Sequence, residues 1–178
     1  MEQLLLVRPA ARYEKDIAAY KEEFVQNGDS MDGTAGLSGA SSIPEWFCQV
    51  ARNTCEETVQ PGFVPSSTFL AVHAETGKLL GMIDIRHCLN DHLLHTGGHI
   101  GYSVRKSERQ KGYAKEMLRQ ALQICRDQLN LSRCLLTCSS DNIASSRTIE
   151  ANGGRLENIV EENGRLCKRY WITLSTPD

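Results

Sequence analysis

A strand, a short basic loop and a helix follow one another in the stretch Ser103-Val104-Arg105-Lys106-Ser107-Glu108-Arg109-Gln110-Lys111-Gly112-Tyr113-Ala114-Lys115. The N-terminus of a helix presents unpaired N–H groups and about half a positive charge, which suits a bound phosphate. Gly112 has no side chain where a ligand would approach, and Ala114 keeps the next turn small. Five cations against one acid give the stretch a local excess of four positive charges. The stretch therefore predicts an anionic partner.

The charge of this stretch leaves two explanations open. It either binds a phosphate or is the surface end of a helix whose lysines are solvated. The sequence contains neither a G-x-x-x-x-G-K-[ST] loop nor a G-x-G-x-x-G turn after a strand. Binding of a nucleoside triphosphate or of a dinucleotide therefore loses support.

The chain that follows the stretch alternates between helices and strands. Apolar residues recur at helical spacing from Ala114 to Cys125, the clearest helix of the sequence. Cys134–Cys138 is a short apolar run that predicts a buried parallel strand. A helix is predicted from near Asn142 to Gly153. The pair Asn163-Gly164 predicts a tight hairpin, with strands at residues 155–162 and 165–174.

The half of the chain before the stretch begins with a strand and two helices. These are predicted at residues 4–8, 13–24 and 44–55. Residues 28–42, between the helices, are rich in glycine and serine, so we expect a flexible loop of the kind that often covers a substrate in an enzyme. Three strands follow, predicted at residues 68–73, 79–86 and 99–105, and the first two form a hairpin. The whole order, β-α-α-β-β-β-α-β-α-β-β, predicts a mixed α/β fold.

Composition places the chain among ordinary globular domains. Its 178 residues fit one domain, with 40% hydrophobic and 24% charged residues. The net charge of −2 argues against a nucleic acid as partner of the whole chain.

Three further features of the composition bear on location. No apolar run approaches the roughly 18 residues of a membrane span, so no membrane partner is expected. The apolar N-terminal run lacks a basic region and a cleavage site, so it is predicted to be a strand rather than a signal peptide. Seven scattered cysteines, an odd number, favour reduced thiols and a cytoplasmic location.

Two segments carry a resemblance to a known family. Arg109-Gln110-Lys111-Gly112-Tyr113-Ala114 is similar to the R/Q-x-x-G-x-G/A signature of the GNAT superfamily of acyl-CoA-dependent N-acetyltransferases. About 30 residues later, the segment from Asp141 through Asn142 and Ser145 to Gly153-Gly154 resembles the family's N-x-x-S…G segment. The resemblance covers nearly the whole chain in element order. It implies a single domain over residues 1–178, with a mixed, largely antiparallel sheet that splays between the fourth and fifth strands.

The resemblance also implies where acetyl-CoA would bind. Backbone N–H groups of the signature loop would hold its pyrophosphate, namely those of Arg109, Gln110, Lys111, Gly112, Tyr113 and Ala114. Val104 would offer its backbone to the pantetheine arm between the two splayed strands. Asn142 and Ser145 would contact the pantetheine or the phosphates from the other side. Ser146 is the alternative to Ser145, and Asn142 also suits a helix cap.

Acetyl transfer to an amine requires a base that removes a proton and a backbone N–H that stabilises the oxyanion. His99 lies where some relatives place the base, and Asp84, a charged residue in an apolar strand, is the second candidate. A structural role is the alternative for each. Ile149 stands where the family commonly has a Tyr that protonates the thiolate, so that acid is missing or comes from elsewhere.

The predicted function is transfer of an acetyl group from acetyl-CoA to a primary amine in a ternary complex. The acceptor is a small-molecule amine or an amine of a peptide or protein, and the sequence does not choose between them. The C-terminal hairpin offers an exposed edge on which a homodimer could form.

Two other classes of protein remain as alternatives. One is a non-catalytic acyl-CoA-binding module that regulates a partner. The other is a metal-dependent protein that uses the histidine-rich segment His87–His99. The spacing of that segment matches no zinc template, so no metal is expected. A polar loop that shapes acceptor specificity is the favoured interpretation.

Overall fold

The computed structural model describes residues 4–174, whose elements follow the predicted order with one added short helix. The strands are β1 (Leu4–Val7), β2 (Ser66–His73), β3 (Leu79–Arg86), β4 (Ile100–Val104), β5 (Arg133–Ser139), β6 (Arg155–Glu162) and β7 (Arg165–Thr173). The helices are α1 (Glu14–Asn27), α2 (Ile43–Arg52), α3 (Asp91–His95), α4 (Tyr113–Asp127) and α5 (Ile143–Glu150). Residues 1–3, part of the run predicted not to be a signal peptide, and residues 175–178 of the predicted domain lie outside the described residues.

The strands form two antiparallel sheets whose edges meet at β4 and β5. The first sheet has the order β1-β2-β3-β4 and the second has the order β5-β7-β6. In the described part of the chain, an isolated bridge between Gly98 and Leu136 links the two edges. The splay predicted between the fourth and fifth strands is therefore confirmed. The parallel arrangement predicted for β5 is replaced by a ladder with β7 that is antiparallel.

Helices α1 and α2 cover one face of the first sheet. α1 buries Ile17, Tyr20 and Phe24, which lie on the face predicted from their spacing. α2 adds Trp46 and Val50. These side chains pack on four buried residues of β2 and β3, namely Leu70, Val72, Leu79 and Met82. The first sheet is therefore closed on this side by an apolar layer.

Helix α4 packs on the other face of the first sheet and also reaches the second sheet. Five of the six residues predicted for its apolar face are buried, namely Met117, Leu118, Ala121, Leu122 and Cys125, and Ala114 is partly buried. They share one core with Ile83 of β3 and with Tyr170 and Ile172 of β7. Burial of one such Leu or Met side chain contributes about 1.5–3 kcal/mol. α4 thus holds the two sheets together while their edges stay apart.

The loop between α1 and α2 is ordered against β4. Thr34 and Leu37 are buried, and Trp46 Nε1 donates a hydrogen bond to Thr34 O at 2.8 Å. Gly33 has a φ of +71° and lies so close to β4 that a Cβ there would overlap Gly101 O. This part of the loop is therefore a fixed wall beside β4, which differs from the flexible cover expected from its composition.

The histidine-rich connection contains a short helix that the sequence did not predict. Asn90 caps α3 by accepting a hydrogen bond from Leu93 N at 2.9 Å. At the other end of the fold, Asn163 and Gly164 have φ values of +52° and +75°, which confirms the tight hairpin. The outer strand of that hairpin exposes Leu156 and Ile159, so the edge on which a homodimer was predicted is open. The homodimer itself stays a prediction.

Candidate functional site

A cleft of about 860 Å³ opens where β4 and β5 part. It is lined by β4, β5, the first turn of α5, the start of α4 and the loop residues 29–33. The backbone hydrogen bonds to β3 that flank β4 are made by His99 O, just before the strand, and by Arg105 N, just after it. Alternation along the antiparallel ladder therefore turns the N–H groups of Ile100, Tyr102 and Val104 toward the cleft. An extended ligand can pair with them.

The predicted phosphate loop lies at one end of this cleft. Arg109 and Ala114 line the cleft, and the loop between them contains two residues with positive φ, Gln110 at +63° and Gly112 at +85°. Gly112 is the N-cap of α4, and no side chain caps this end of the helix. A Cβ added to Gly112 would meet nothing within 4 Å. The end of α4 is thus open to an anion.

Ion pairs organise the basic stretch around the loop. Arg109 Nη2 lies 2.7 Å from Asp29 Oδ2, and its Nε donates to Val104 O at 3.0 Å. Lys78 and Lys111 both bond to Glu108, and these bonds lower the pKa of that carboxyl to about 2. The local positive excess seen in the sequence is therefore partly neutralised by acids nearby in space. The remaining attraction for an anion comes from backbone N–H groups as much as from lysines.

Asn142 and Ser145 face the cleft from α5. Asn142 Oδ1 accepts a hydrogen bond from Ser145 N at 3.0 Å, so it is the helix cap that its position predicted. Ser145 Oγ lies 3.0 Å from the hydroxyl of Tyr102 across the cleft. Ser146 is buried, and its hydroxyl lies 3.4 Å from Cys138 Sγ. The geometry thus favours Ser145 over Ser146 as a ligand contact.

His99 joins the two sheets at the closed end of the cleft. Its backbone N–H donates a hydrogen bond to Leu135 O at 2.7 Å, and the Nδ1 atom of its imidazole accepts one from Leu135 N at 3.0 Å. Burial lowers the pKa of the imidazole to about 4. The lone pair needed for proton transfer is already occupied, and the side chain does not line the cleft. This geometry favours a structural role over the base predicted from its position.

Asp84 is also held away from the cleft. It is buried in β3, and Thr68 of β2 donates a hydrogen bond to its Oδ1 at 2.8 Å. Its hydrogen-bond partner is thus the residue directly across the strand pair, Thr68, which fits the structural role that the sequence left open. Of the predicted site residues, five line the cleft: Val104, Arg109, Ala114, Asn142 and Ser145. The catalytic candidates His99 and Asp84 do not.

Three residues that line the cleft were not singled out from the sequence. They are Tyr102, Asp32 and Arg86, and none of them received a site role from the sequence. A hydroxyl or charge at the end of a strand or in a glycine-rich loop was the available signal. Burial raises the pKa of Tyr102 to about 12.

The position expected to carry a tyrosine is closed. Ile149 is 1% exposed in the core shared with α4. A Cβ on Gly154 would overlap Ile149 Cγ2, so the chain after α5 lies tightly on this side chain. Ile149 therefore belongs to the core and does not line the cleft.

The metal alternative finds no support among residues 4–174, because no group of three or more His, Cys, Asp or Glu side chains there could hold an ion. His92 instead lies 3.7 Å from Glu162 at the edge of the cleft. None of the helices in the same span has the length and apolar character that a bilayer crossing requires.

The fold and the cleft are those of an acyltransferase that uses acetyl-CoA. A family model described as an acetyltransferase (GNAT) domain matches residues 4–155, and the chain belongs to that family. No curated protein sequence matches the chain.

Solved structures share the fold at low sequence identity. The microcin C7 self-immunity acetyltransferase MccE, solved with acetyl-CoA and AMP, has 19% identity and a TM-score of 0.67 over 98% of this chain and 94% of its own. Mutant forms of the spermidine/spermine N-acetyltransferase SpeG from Vibrio cholerae give 16% identity and a TM-score of 0.66 over 97% and 95%. An acetyltransferase from Agrobacterium tumefaciens gives 22% identity and a TM-score of 0.63 over 95% and 91%.

Proposed function

We propose that this chain transfers the acetyl group of acetyl-CoA directly to a primary amine within a ternary complex. The observation that carries the proposal is the position of the open end of α4 at the mouth of a cleft between β4 and β5. The pyrophosphate would bind the N–H groups of the loop at residues 109–114. The pantetheine arm would run along β4, where the N–H groups of Tyr102 and Val104 face the cleft.

The thioester would then lie deep in the cleft, where the two strands converge. A backbone N–H of β4 is the available donor for the oxyanion that forms on the carbonyl. The amine nitrogen forms the C–N bond and the C–S bond breaks. The ammonium loses one proton before attack and the nitrogen loses a second as the amide forms, whereas the sulfur takes up one, so one proton is released in total.

Asp32 is the carboxylate best placed to accept the first proton. Among the other acids that line the cleft, Asp29 is paired with Arg109, Glu162 lies near His92, and Asp141, just before α5, accepts the hydroxyl of Ser139. The carboxylate of Asp32 accepts a hydrogen bond from the Ser30 hydroxyl at 2.9 Å, and no cation lies within 4.0 Å of that carboxylate among the described residues. A carboxylate in this position both attracts an ammonium and removes its proton.

Tyr102 is the group that we assign to the leaving sulfur. Its hydroxyl projects from β4 into the cleft and is held 3.0 Å from Ser145 Oγ. A phenol keeps its proton at neutral pH, and burial, which raises the pKa of Tyr102 to about 12, keeps this hydroxyl a hydrogen-bond donor to the developing thiolate. This role would replace the tyrosine that is absent at Ile149.

Calorimetric titration with acetyl-CoA tests the binding mode. Gly112→Ala is expected to weaken binding about 10-fold or more, because its Cβ would project into the space of the phosphate. Gly28→Ala is the matched control: Gly28 also has a positive φ, +65°, at a helix end, and its Cβ would also meet nothing within 4 Å. Both variants strain the backbone by about 1 kcal/mol. Equal affinity in the two variants would contradict the phosphate site.

Thiol release with a panel of primary amines tests the reaction. The proposal predicts amine-dependent release of CoA thiol above the hydrolysis background. A regulatory acyl-CoA-binding module predicts tight binding without such release. No binding at millimolar acetyl-CoA would overturn the proposal altogether.

A further inference from the structure

Arg86 places a guanidinium in the cleft without a carboxylate partner. Its Nη1 donates to Gly97 O at 3.1 Å and to Gly98 O at 3.0 Å. Among residues 4–174, no carboxylate oxygen lies within 4.0 Å of this side chain, and its Nε and Nη2 make no hydrogen bond and are not sealed from solvent. A guanidinium has five N–H donors, so most of its donors remain available to a ligand.

The fold brings this side chain over β4 toward the closed end of the cleft. Arg86 is half-buried at the end of β3, and its backbone N–H donates a hydrogen bond to the backbone oxygen of His99, which precedes β4. Gly101 of β4 leaves the path clear, since a Cβ there would stand 3.8 Å from Arg86 Nη2. A Cβ on Gly101 would also stand 3.1 Å from the backbone nitrogen of Gly33. The guanidinium is therefore next to the loop residue that follows Asp32.

The cleft holds two opposite charges that do not pair with each other. Asp32 and Arg86 both line the cleft, and no ion pair joins them. Two other cations of the cleft already have acidic partners, as the pairs Arg109–Asp29 and His92–Glu162 show. A bound molecule with an ammonium and an anionic group a few bonds apart would satisfy both free charges at once.

We propose that Arg86 binds a carboxylate of the acceptor, so that the preferred acceptors are amino-acid-like amines rather than polyamines. This inference rests on the proposed acetyl transfer and names its substrate class. The planar fork of arginine matches a carboxylate in a bidentate manner, and the carbonyls of Gly97 and Gly98 hold it in place. A long polyamine would place a second ammonium beside this guanidinium, and like charges there repel.

The test compares matched acceptors with and without the negative charge. The acceptors are ω-amino carboxylates of two to five carbons, their carboxamides, and spermidine, each at a pH that gives the same fraction of free amine. For the wild-type protein, kcat/KM is expected to be about 10- to 100-fold higher for the best carboxylate than for its carboxamide. Arg86→Gln should remove this ratio by raising KM for the carboxylate, and Arg86→Lys should restore part of it.

Controls separate a specific contact from other effects. Arg165→Gln removes an exposed arginine that also lines the cleft, and it should leave the ratio unchanged. If loss of the bonds to Gly97 and Gly98 merely distorted the cleft, Arg86→Gln would lower kcat/KM equally for both members of a pair, which would overturn the inference. A wild-type preference for spermidine would also overturn it while leaving acetyl transfer intact. Absence of thiol release with every amine would instead overturn the proposed function.

Discussion

Tyr102 is the side chain on which the proposed chemistry depends most directly. Its hydroxyl has a defined direction because Ser145 of α5 lies 3.0 Å away, and its ring spans the gap between β4 and α5. The sequence could place Tyr102 on a strand face by alternation. It could not show that α5, more than forty residues later, supplies the partner.

Tyr102→Phe is expected to lower kcat about 100-fold, since loss of a single preorganised donor to a developing charge has about this effect. KM for acetyl-CoA should change little, because the pantetheine and phosphate contacts remain. Tyr170→Phe is the control: its hydroxyl lies 3.2 Å from Glu150 Oε1, outside the cleft. Steady-state kinetics of both variants check the prediction, and equal losses would show that Tyr102 acts only through packing.

His99 shows how a residue in the predicted place can do different work. Gly98, with a φ of +62°, precedes His99, whose backbone N–H points to β5, where Leu135 bonds to both this N–H and the imidazole Nδ1. The linear motif gives the position of His99 in the chain but not the bond partner 36 residues away. Its role as a base stays a prediction, which the structure does not favour.

The pH dependence of stability tests this structural role. The pKa of His99 is about 4 in the folded protein, below the ordinary value of a free histidine, so the unfolded chain binds a proton at higher pH. The stability of the wild type should therefore fall as the pH is lowered from about 6.5 to about 4, by up to about 3 kcal/mol from this group. His99→Gln keeps an acceptor for Leu135 N but does not titrate, so its profile should be flatter.

Urea unfolding of both proteins at several pH values in this window gives the measurement. Parallel profiles would mean that the imidazole is not held neutral. The same variant also tests the catalytic role, since removal of a general base typically costs 10²–10⁴-fold in rate. A folded variant with nearly full activity would assign His99 to structure alone.

At the scale of elements, local patterns predicted what depends on neighbours in sequence. The apolar spacing of α4 and the Asn163-Gly164 turn describe structures that form within a few residues, and both are confirmed. The site residues that line the cleft, such as Val104 and Asn142, belong to the same local motifs. Helical periodicity and caps act over one or two turns, which explains this success.

Patterns were less informative where an element depends on distant contacts. The composition of residues 28–42 is that of a flexible loop, yet Trp46 and the close approach of Gly33 to Gly101 hold it against β4. Asp32 and Arg86 likewise line the same cleft only because this loop and the end of β3 both approach Gly101. Burial of charges and their convergence are properties of the assembled sheet, so no local motif predicts them.

The whole molecule consists of two sheets that share one core but meet at a narrow joint. Gly98 forms this joint: it bridges to Leu136, and its carbonyl accepts a bond from Arg86. Its φ is +62°, and a Cβ there would overlap Leu135 O and stand 2.9 Å from the carbonyl carbon of the same residue. Backbone atoms cannot rotate aside as a side chain can, so the sheets themselves would have to move apart.

Gly98→Ala is therefore expected to lower the free energy of unfolding by about 1–3 kcal/mol more than Gly97→Ala. Gly97 is a suitable control because it also has a positive φ, +100°, but its Cβ would meet only the flexible end of Leu93, at 3.0 Å. Both variants carry the backbone strain of an alanine in the left-handed region, and only Gly98→Ala forces the joint open. Chemical denaturation measures this difference in the free energy of unfolding. Titration with acetyl-CoA should also show weaker binding for Gly98→Ala, because a wider cleft no longer contacts the pantetheine from both strands. Equal stability of the two variants would show that the sheets can separate at this point without cost, and that the shared core under α4 alone sets the width of the cleft.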